Sequence, residues 1–155
     1  MMGPRSPVAQ RIDHVGIVVR DADAAAAYYC DAFGMERSVD VLLSDGSARL
    51  IYLEVGDTTL QLVQPLQPGP TADFLAERGE GLHHLCFAVS DLHSALESLP
   101  GEAHVTVSEG GRGAPVSFIR ARPNGVTIEL TGSIPESPSD PIAGLELAQD
   151  AADQG

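Results

Sequence analysis

The pattern of apolar and polar positions along the chain repeats. His14-Val15-Gly16-Ile17-Val18-Val19-Arg20-Asp21 is an apolar run closing on an aspartate, and His84-Leu85-Cys86-Phe87-Ala88-Val89-Ser90-Asp91 matches it at an offset of 70 residues. Each run reads as a buried strand, and each aspartate as the N-cap of a helix, over Ala22 to Phe33 and Leu92 to Leu99. The ends of the two halves correspond as well: Thr59-Leu60-Gln61-Leu62 lies over Thr127-Ile128-Glu129-Leu130 at an offset of 68. In the first half, strands over Glu36 to Leu43 and Arg49 to Val55 flank a turn at Ser44-Asp45-Gly46-Ser47, and a tight turn at Gly56-Asp57 leads into the strand bearing Gln61. The second half has a weak strand at Thr106 to Val107, a better one at Pro115 to Arg120, and a turn at Pro123-Asn124-Gly125 before the strand bearing Glu129. Between the halves, Ala72 to Arg78 predicts a short helix ended by Gly79 and Gly81.

The fold class is therefore α+β, built from two tandem βαβββ modules over residues 11–66 and 83–131. Residues 1–10 form an N-terminal extension and 67–82 a connector with a short helix. Prolines in the stretch Gln64 to Pro70 are expected to exclude both helix and central strand there. Residues 132–155 have the composition of an acidic, proline-containing tail. Ile142, Leu145 and Leu147 give it the apolar positions of a short helix, but no function is assigned to it. Duplicated modules pack about a pseudo-two-fold axis, because each has an apolar sheet face whose nearest complement is the other copy.

Composition narrows the function. With 155 residues, 43% of them hydrophobic, the chain can bury one compact core, so one domain is the default. The net charge of −13 should repel nucleic acid and anionic membranes, and no apolar stretch approaches the roughly 18 to 20 residues that span a bilayer. All nine basic residues are arginine, which excludes a Schiff-base lysine, a phosphate-loop lysine and any lysine nucleophile. Two cysteines, Cys30 and Cys86, are too few for a disulfide scaffold. The opening residues MMGPRSPVAQR hold no run of signal-peptide type, so the expected location is cytoplasmic.

The chemistry sits at the repeat-equivalent polar positions. Under pseudo-two-fold packing His14 meets His84, and Gln61 meets Glu129. Two imidazoles, an amide oxygen and a carboxylate converging from four strands make a divalent transition-metal site with open positions. Imidazole suits Mn, Fe, Co, Ni and Zn alike. A lone polar residue on an apolar strand is ordinarily a satisfied core group; four at equivalent positions would otherwise be buried polar groups in need of partners. His83 competes with His84, but strand alternation points the two to opposite faces and the repeat selects His84, leaving His83 as a rim residue or substrate contact. His93 and His104 read as surface residues. Cys86 shares the inward face with His84 and reads as a small buried hydrophobe.

These residues resemble the vicinal oxygen chelate superfamily of glyoxalases, bleomycin-resistance proteins and dioxygenases, and within it the methylmalonyl-CoA epimerases. The resemblance is carried by RIDHVGIVVRDADAAAAYY, VGDTTLQLVQPL, FLAERGEGLHHLCFAV and NGVTIELTG, which together span Arg11 to Thr131. It implies a curved sheet of paired modules around a divalent metal held by His14, Gln61, His84 and Glu129, with Glu129 also moving a proton. It further implies α-proton abstraction from methylmalonyl-CoA or a similar malonyl-type thioester, and a homodimer. Two features depart from the family pattern: Leu50 stands where better-known bacterial epimerases carry a second glutamate, and Arg120-Ala121-Arg122-Pro123-Asn124 replaces an HPKS-like turn. Asp45, Tyr52 and Glu54 are the candidates for an opposite-face proton donor. Arg112, Arg120 and Arg122 are candidates to meet the phosphates of a CoA ester. The alternatives are another enzyme of the superfamily, such as a glyoxalase-type isomerase, a dioxygenase or a tailoring isomerase or lyase, and a sequestering protein without chemistry. The complete ligand set argues against the last.

Overall fold

The structure is a computed structural model that describes residues 8–133; the acidic tail, with Ile142, Leu145 and Leu147, lies outside these residues. The element order is β1 (Ala9–Val18), α1 (Ala22–Phe33), β2 (Glu36–Leu42), β3 (Ala48–Val55), β4 (Thr58–Pro65), α2 (Pro70–Arg78), β5 (Gly81–Val89), α3 (Leu92–Ser98), β6 (Ser108–Glu109), β7 (Pro115–Phe118) and β8 (Ile128–Thr131). A 3₁₀ turn at Pro123–Gly125 precedes β8. The strands form one curled eight-stranded sheet in the order β2-β3-β4-β1-β5-β8-β7-β6. Each module is a half of that sheet, joined through the antiparallel pair β1–β5.

The register reports the duplication directly. Val15 lies opposite Leu85, which is also its equivalent in the repeat, so the pseudo-two-fold axis passes through that pair. On either side of it, β1 runs parallel to β4 with Gly16 opposite Gln61, and β5 runs parallel to β8 with Cys86 opposite Glu129. The equivalent helices start in the same way. Asp21 accepts from Ala24 N (3.0 Å) and Asp91 from His93 N (3.1 Å), so both N-caps satisfy amides that have no partner within the helix. Gly34 ends α1 in the left-handed region (φ 71°), and its N–H donates to Cys30 O.

Strand alternation divides the core between the two faces of the sheet. Ile51, Leu53 and Leu62 pack under α1 with Val19, Ala22 and Ala26. The intervening residues Leu50, Tyr52 and Val63 join Val18 and Ala48 on the other face, where Phe74 and Leu75 of α2 pack against them. Leu92, Ala95 and Leu96 of α3 form a third cluster with Val89 and Leu130. No helix among the described residues is long and apolar enough to cross a membrane.

Three expectations need correction. Proline does not interrupt the connector as its composition suggests: β4 runs through Pro65, which ends the strand opposite Ala48, and α2 opens on Pro70, where a missing N–H costs nothing in the first turn. The weak strand is not at Thr106 to Val107 but at Ser108–Glu109, where the chain pairs with Pro115 and Val116. The strand expected over Pro115 to Arg120 ends at Phe118, because the carboxylate of buried Glu102 captures the backbone N–H groups of Arg120 (2.7 Å) and Ala121 (3.0 Å).

The Asp91 cap supports a helix of only seven residues. Replacing Asp91 with Ala should lower stability by about 1 kcal/mol in urea unfolding, with no change in the slope of the transition.

Candidate metal and proton-transfer site

Two rows of side chains cross the inner face of the sheet. One runs Gln61, Gly16, His84 over β4, β1 and β5; the other runs His14, Cys86, Glu129 over β1, β5 and β8. The rows are related by the pseudo-two-fold axis. Gly16 is required by this geometry, because a Cβ there would stand 2.1 Å from His84 Cε1. Its equivalent Cys86 is fully buried, and burial pushes its thiol pKa up, as expected for a small core residue.

At the centre His14 Nε2 lies 3.2 Å from His84 Nε2 and 3.0 Å from Glu129 Oε1, and His84 Nε2 lies 3.4 Å from the same oxygen. All three residues are buried, at 3 to 6% exposure. The structure thus brings together His14, His84 and Glu129. Gln61 lines the same cavity, and its Nε2 donates to the Tyr52 hydroxyl (2.8 Å).

The outer contacts orient these groups. His14 Nδ1 lies 2.8 Å from Asp13 Oδ2, and a carboxylate that can only accept places the proton on Nδ1 and turns the Nε2 lone pair inward. Asp13 is itself held by Arg11 Nη2 (2.9 Å) and by the guanidinium of Arg112. Burial disfavours the Asp13 carboxylate, but the His14 hydrogen bond and the Arg112 charge outweigh it and keep its pKa below the ordinary value. His84 Nδ1 contacts His83 Nδ1 at 2.8 Å.

Glu129 Oε1 is buried, and no N–H is aimed at it with hydrogen-bond geometry, although two imidazole nitrogens lie within 3.4 Å. Acceptor atoms facing one another in a dry pocket repel unless a proton or a cation lies between them. Two nitrogen donors and one anionic oxygen, with the Gln61 amide on the wall of the same cavity, suit a divalent transition metal, so the residues fit the metal that the fold implies. Without it, protons serve. Burial opposes the charge on Glu129, yet the close His14 and His84 imidazoles bring its pKa down to about 2. Burial likewise opposes protonation of His14, yet Asp13 and Glu129 raise its pKa above 6.5.

His83 corrects a further expectation. Alternation should have sent it to the face opposite His84, but the register shifts between Gly16 and Ile17, which pair with His84 and Leu82, leaving His83 in a β-bulge. The ring therefore stays beside His84, edge-on to Phe74 at a centroid distance of 5.0 Å. Burial and the His84 charge lower its pKa to about 4.

Two cavities meet at His83 and His84. The larger, about 700 Å³, contains Gln61 and Glu129 and is walled by Leu50, Val63, Glu109 and Gly111. The smaller, about 490 Å³, is lined by Phe74, Leu82 and Val126 together with Arg78 and Arg122. Of the expected opposite-face groups, Asp45 stands at the rim of the larger cavity and Tyr52 is engaged by Gln61. Glu54 is exposed and accepts from Ser38 Oγ (2.7 Å). Arg112 does not join Arg120 and Arg122 as a phosphate-facing cluster, because it is spent on Asp13 and the Tyr52 ring. Sequence reasoning also passed over Asp13, Gly16 and Glu109. For Asp13 the signal was its position beside His14; Glu109 has none, since only folding brings it to the cavity.

A curled sheet of paired βαβββ modules with this inward donor set defines a class of protein. Residues 13–119 match the model of the Glyoxalase/Bleomycin resistance protein/Dioxygenase superfamily, and the chain belongs to that family. Among its relatives, the ethylmalonyl-CoA/methylmalonyl-CoA epimerase of Cereibacter sphaeroides is 34% identical over 129 residues, covering 77% of this chain and 96% of the relative. The crystal structure of methylmalonyl-CoA epimerase from Mycobacterium tuberculosis superposes with a TM-score of 0.78 at 30% identity, covering 86% of this chain and 94% of that one. A Streptomyces coelicolor methylmalonyl-CoA epimerase in complex with 2-nitronate-propionyl-CoA gives 0.73 at 27% identity, over 82% and 99%.

Two outcomes follow from the geometry. Gly16→Ala should force the His84 ring from the cluster and destabilise the fold by about 1 to 3 kcal/mol, seen in denaturant unfolding and in a shifted His84 ring proton resonance. In chelator-treated protein, the Glu129 contribution is complete above its unfolded value near 4.5 and is lost as pH falls toward about 2. The His14 contribution is complete below 6.5 and is lost as pH rises through its raised folded value. Stability measured against pH should therefore peak between about 4.5 and 6.5 as far as this pair decides it.

Proposed function

We propose that the chain is a divalent-metal-dependent epimerase of methylmalonyl-CoA, or of a closely similar malonyl-type CoA thioester, acting by removal and return of the α-proton. The observation that carries this reading is the buried Glu129 carboxylate, facing two imidazole nitrogens at the wall of a cavity large enough for an acyl group. His14, Gln61, His84 and Glu129 are the ligands in this proposal. When bound, the cation supplies Lewis-acid stabilisation of the negative charge that develops on the thioester oxygen, worth several kcal/mol.

The chain's own residues do the rest. Glu129 is the proton carrier: its imidazole neighbours hold its pKa below the ordinary value, so the carboxylate is ionised at neutral pH and is the acidic side chain at the cavity wall beside the donors. Asp13 holds the His14 ring in one orientation, so that in its neutral form the Nε2 lone pair faces inward. Leu50, Val63 and Val116 line the cavity with apolar surface and keep water from the exchanging carbon. Leu50 holds no proton, so inversion draws its second proton from a group other than residue 50; Asp45 stands on the cavity rim. The carrier phosphates are met by Arg78 and Arg122 in the adjoining cavity. A cytoplasmic homodimer that binds neither nucleic acid nor membrane accords with the −13 charge and with the superfamily.

The test follows methylmalonyl-CoA in D₂O with Co²⁺-loaded and chelator-stripped protein, reading α-deuterium incorporation and stereochemical inversion together. Exchange with inversion only in the loaded protein is expected. Exchange without inversion would mark a one-base enolising reaction, and no exchange with metal bound would overturn the epimerase reading. Glu129→Gln should slow exchange by roughly 10² to 10⁴. An unchanged rate would remove Glu129 from its proton-carrying role.

A further inference from the structure

Arg112 belongs to the second module, in the loop between β6 and β7, yet its guanidinium reaches the first. It donates to Asp13 Oδ2, the oxygen that also contacts His14 Nδ1, and lies 4.7 Å over the centre of the Tyr52 ring. Tyr52 is 2% exposed. Its hydroxyl accepts from Gln61 Nε2 at 2.8 Å, the one side-chain hydrogen bond of Gln61 among the described residues. Neighbouring Gly111 closes the loop onto this ring: a Cβ there would stand 2.7 Å from the Tyr52 hydroxyl and 2.6 Å from Leu50 Cδ1.

An amide offers a cation only its oxygen, because its nitrogen carries no free lone pair. A buried amide can turn its oxygen to one side only if its N–H groups find an acceptor on the other. On this face Gln61 is flanked by Leu50 and Val63, which accept nothing, and the Tyr52 hydroxyl is the acceptor. We propose that Tyr52, clamped by Arg112, is a positioning residue that holds the Gln61 amide nitrogen outward and so makes its oxygen the fourth metal donor. Arg112 then braces two donors at once, His14 through Asp13 and Gln61 through Tyr52. This inference rests on the metal reading above.

The experiment is a Co²⁺ titration of the full chain, reading dissociation constant and visible absorption, in a cycle of Tyr52→Phe and Gln61→Glu. A carboxylate presents an oxygen whichever way it turns, so it needs no orienting acceptor. Tyr52→Phe should weaken Co²⁺ binding about tenfold or more and alter the visible bands in the Gln61 protein. In the Gln61→Glu background the same change should cost less than about threefold. Unchanged affinity and spectrum in the single variant, or equal losses in both backgrounds, would overturn the proposal. Arg112→Lys keeps the charge near Asp13 but removes the planar cover from Tyr52, and it carries the test if Tyr52→Phe does not fold. A spectral shift with weaker binding is expected there, and wild-type behaviour would overturn the proposal. Wild-type protein that takes up no Co²⁺ would instead overturn the metal reading itself.

Discussion

Three donor atoms, the Nε2 atoms of His14 and His84 and Oε1 of Glu129, face one another within 3.4 Å on buried side chains, and much of the molecule is arranged to hold them there. In water each would be solvated; here they are tolerable only with a proton or a cation between them. The backbone enforces the meeting. The β1–β5 pairing sets His14 and His84 diagonally about the pseudo-two-fold axis, and Gly16 vacates the space that the His84 ring fills.

Around this centre the charges are ordered by reach. Asp13 faces His14 inward and two arginines outward, so a buried carboxylate is neutralised without drawing the ring away from the cluster. The Arg112 contact joins two modules that otherwise meet through strand pairing near the site, and it links loop 110–114 to the geometry of β1 and β3. A protein with a net charge of −13 thereby commits one of its few cations to internal order. Arg78 and Arg122 remain beside the second cavity, where an anionic carrier would need them.

The cavity wall explains how the same superfamily frame can differ in chemistry. Leu50 lies on the strand face that meets the donors, two residues before Tyr52, and contributes only apolar surface. Residue 50 thus offers no titratable group on that side, and the carboxylate among the inward donors is Glu129. The fold supplies the frame, and the identity of a few inward residues decides what is done with it.

Much was legible from the chain alone. The match of His14 to His84 and of Gln61 to Glu129 encoded the duplication and the inward face on which these four side chains stand, because strand periodicity and repeat offset are local properties of sequence. The caps at Asp21 and Asp91 were legible for the same reason, since they depend on amides two or three residues away. What the sequence could not decide were the features set by partners far along the chain. The bulge that keeps His83 beside His84 arises from register against β1. Arg112 looked like a free cation until folding brought Asp13, 99 residues distant, within reach. The early end of β7 depends on Glu102, whose carboxylate competes for the strand's next amides. In each case the deciding contact, a strand register or a buried ion pair or hydrogen bond, joins segments far apart in the chain, which only the tertiary structure brings together.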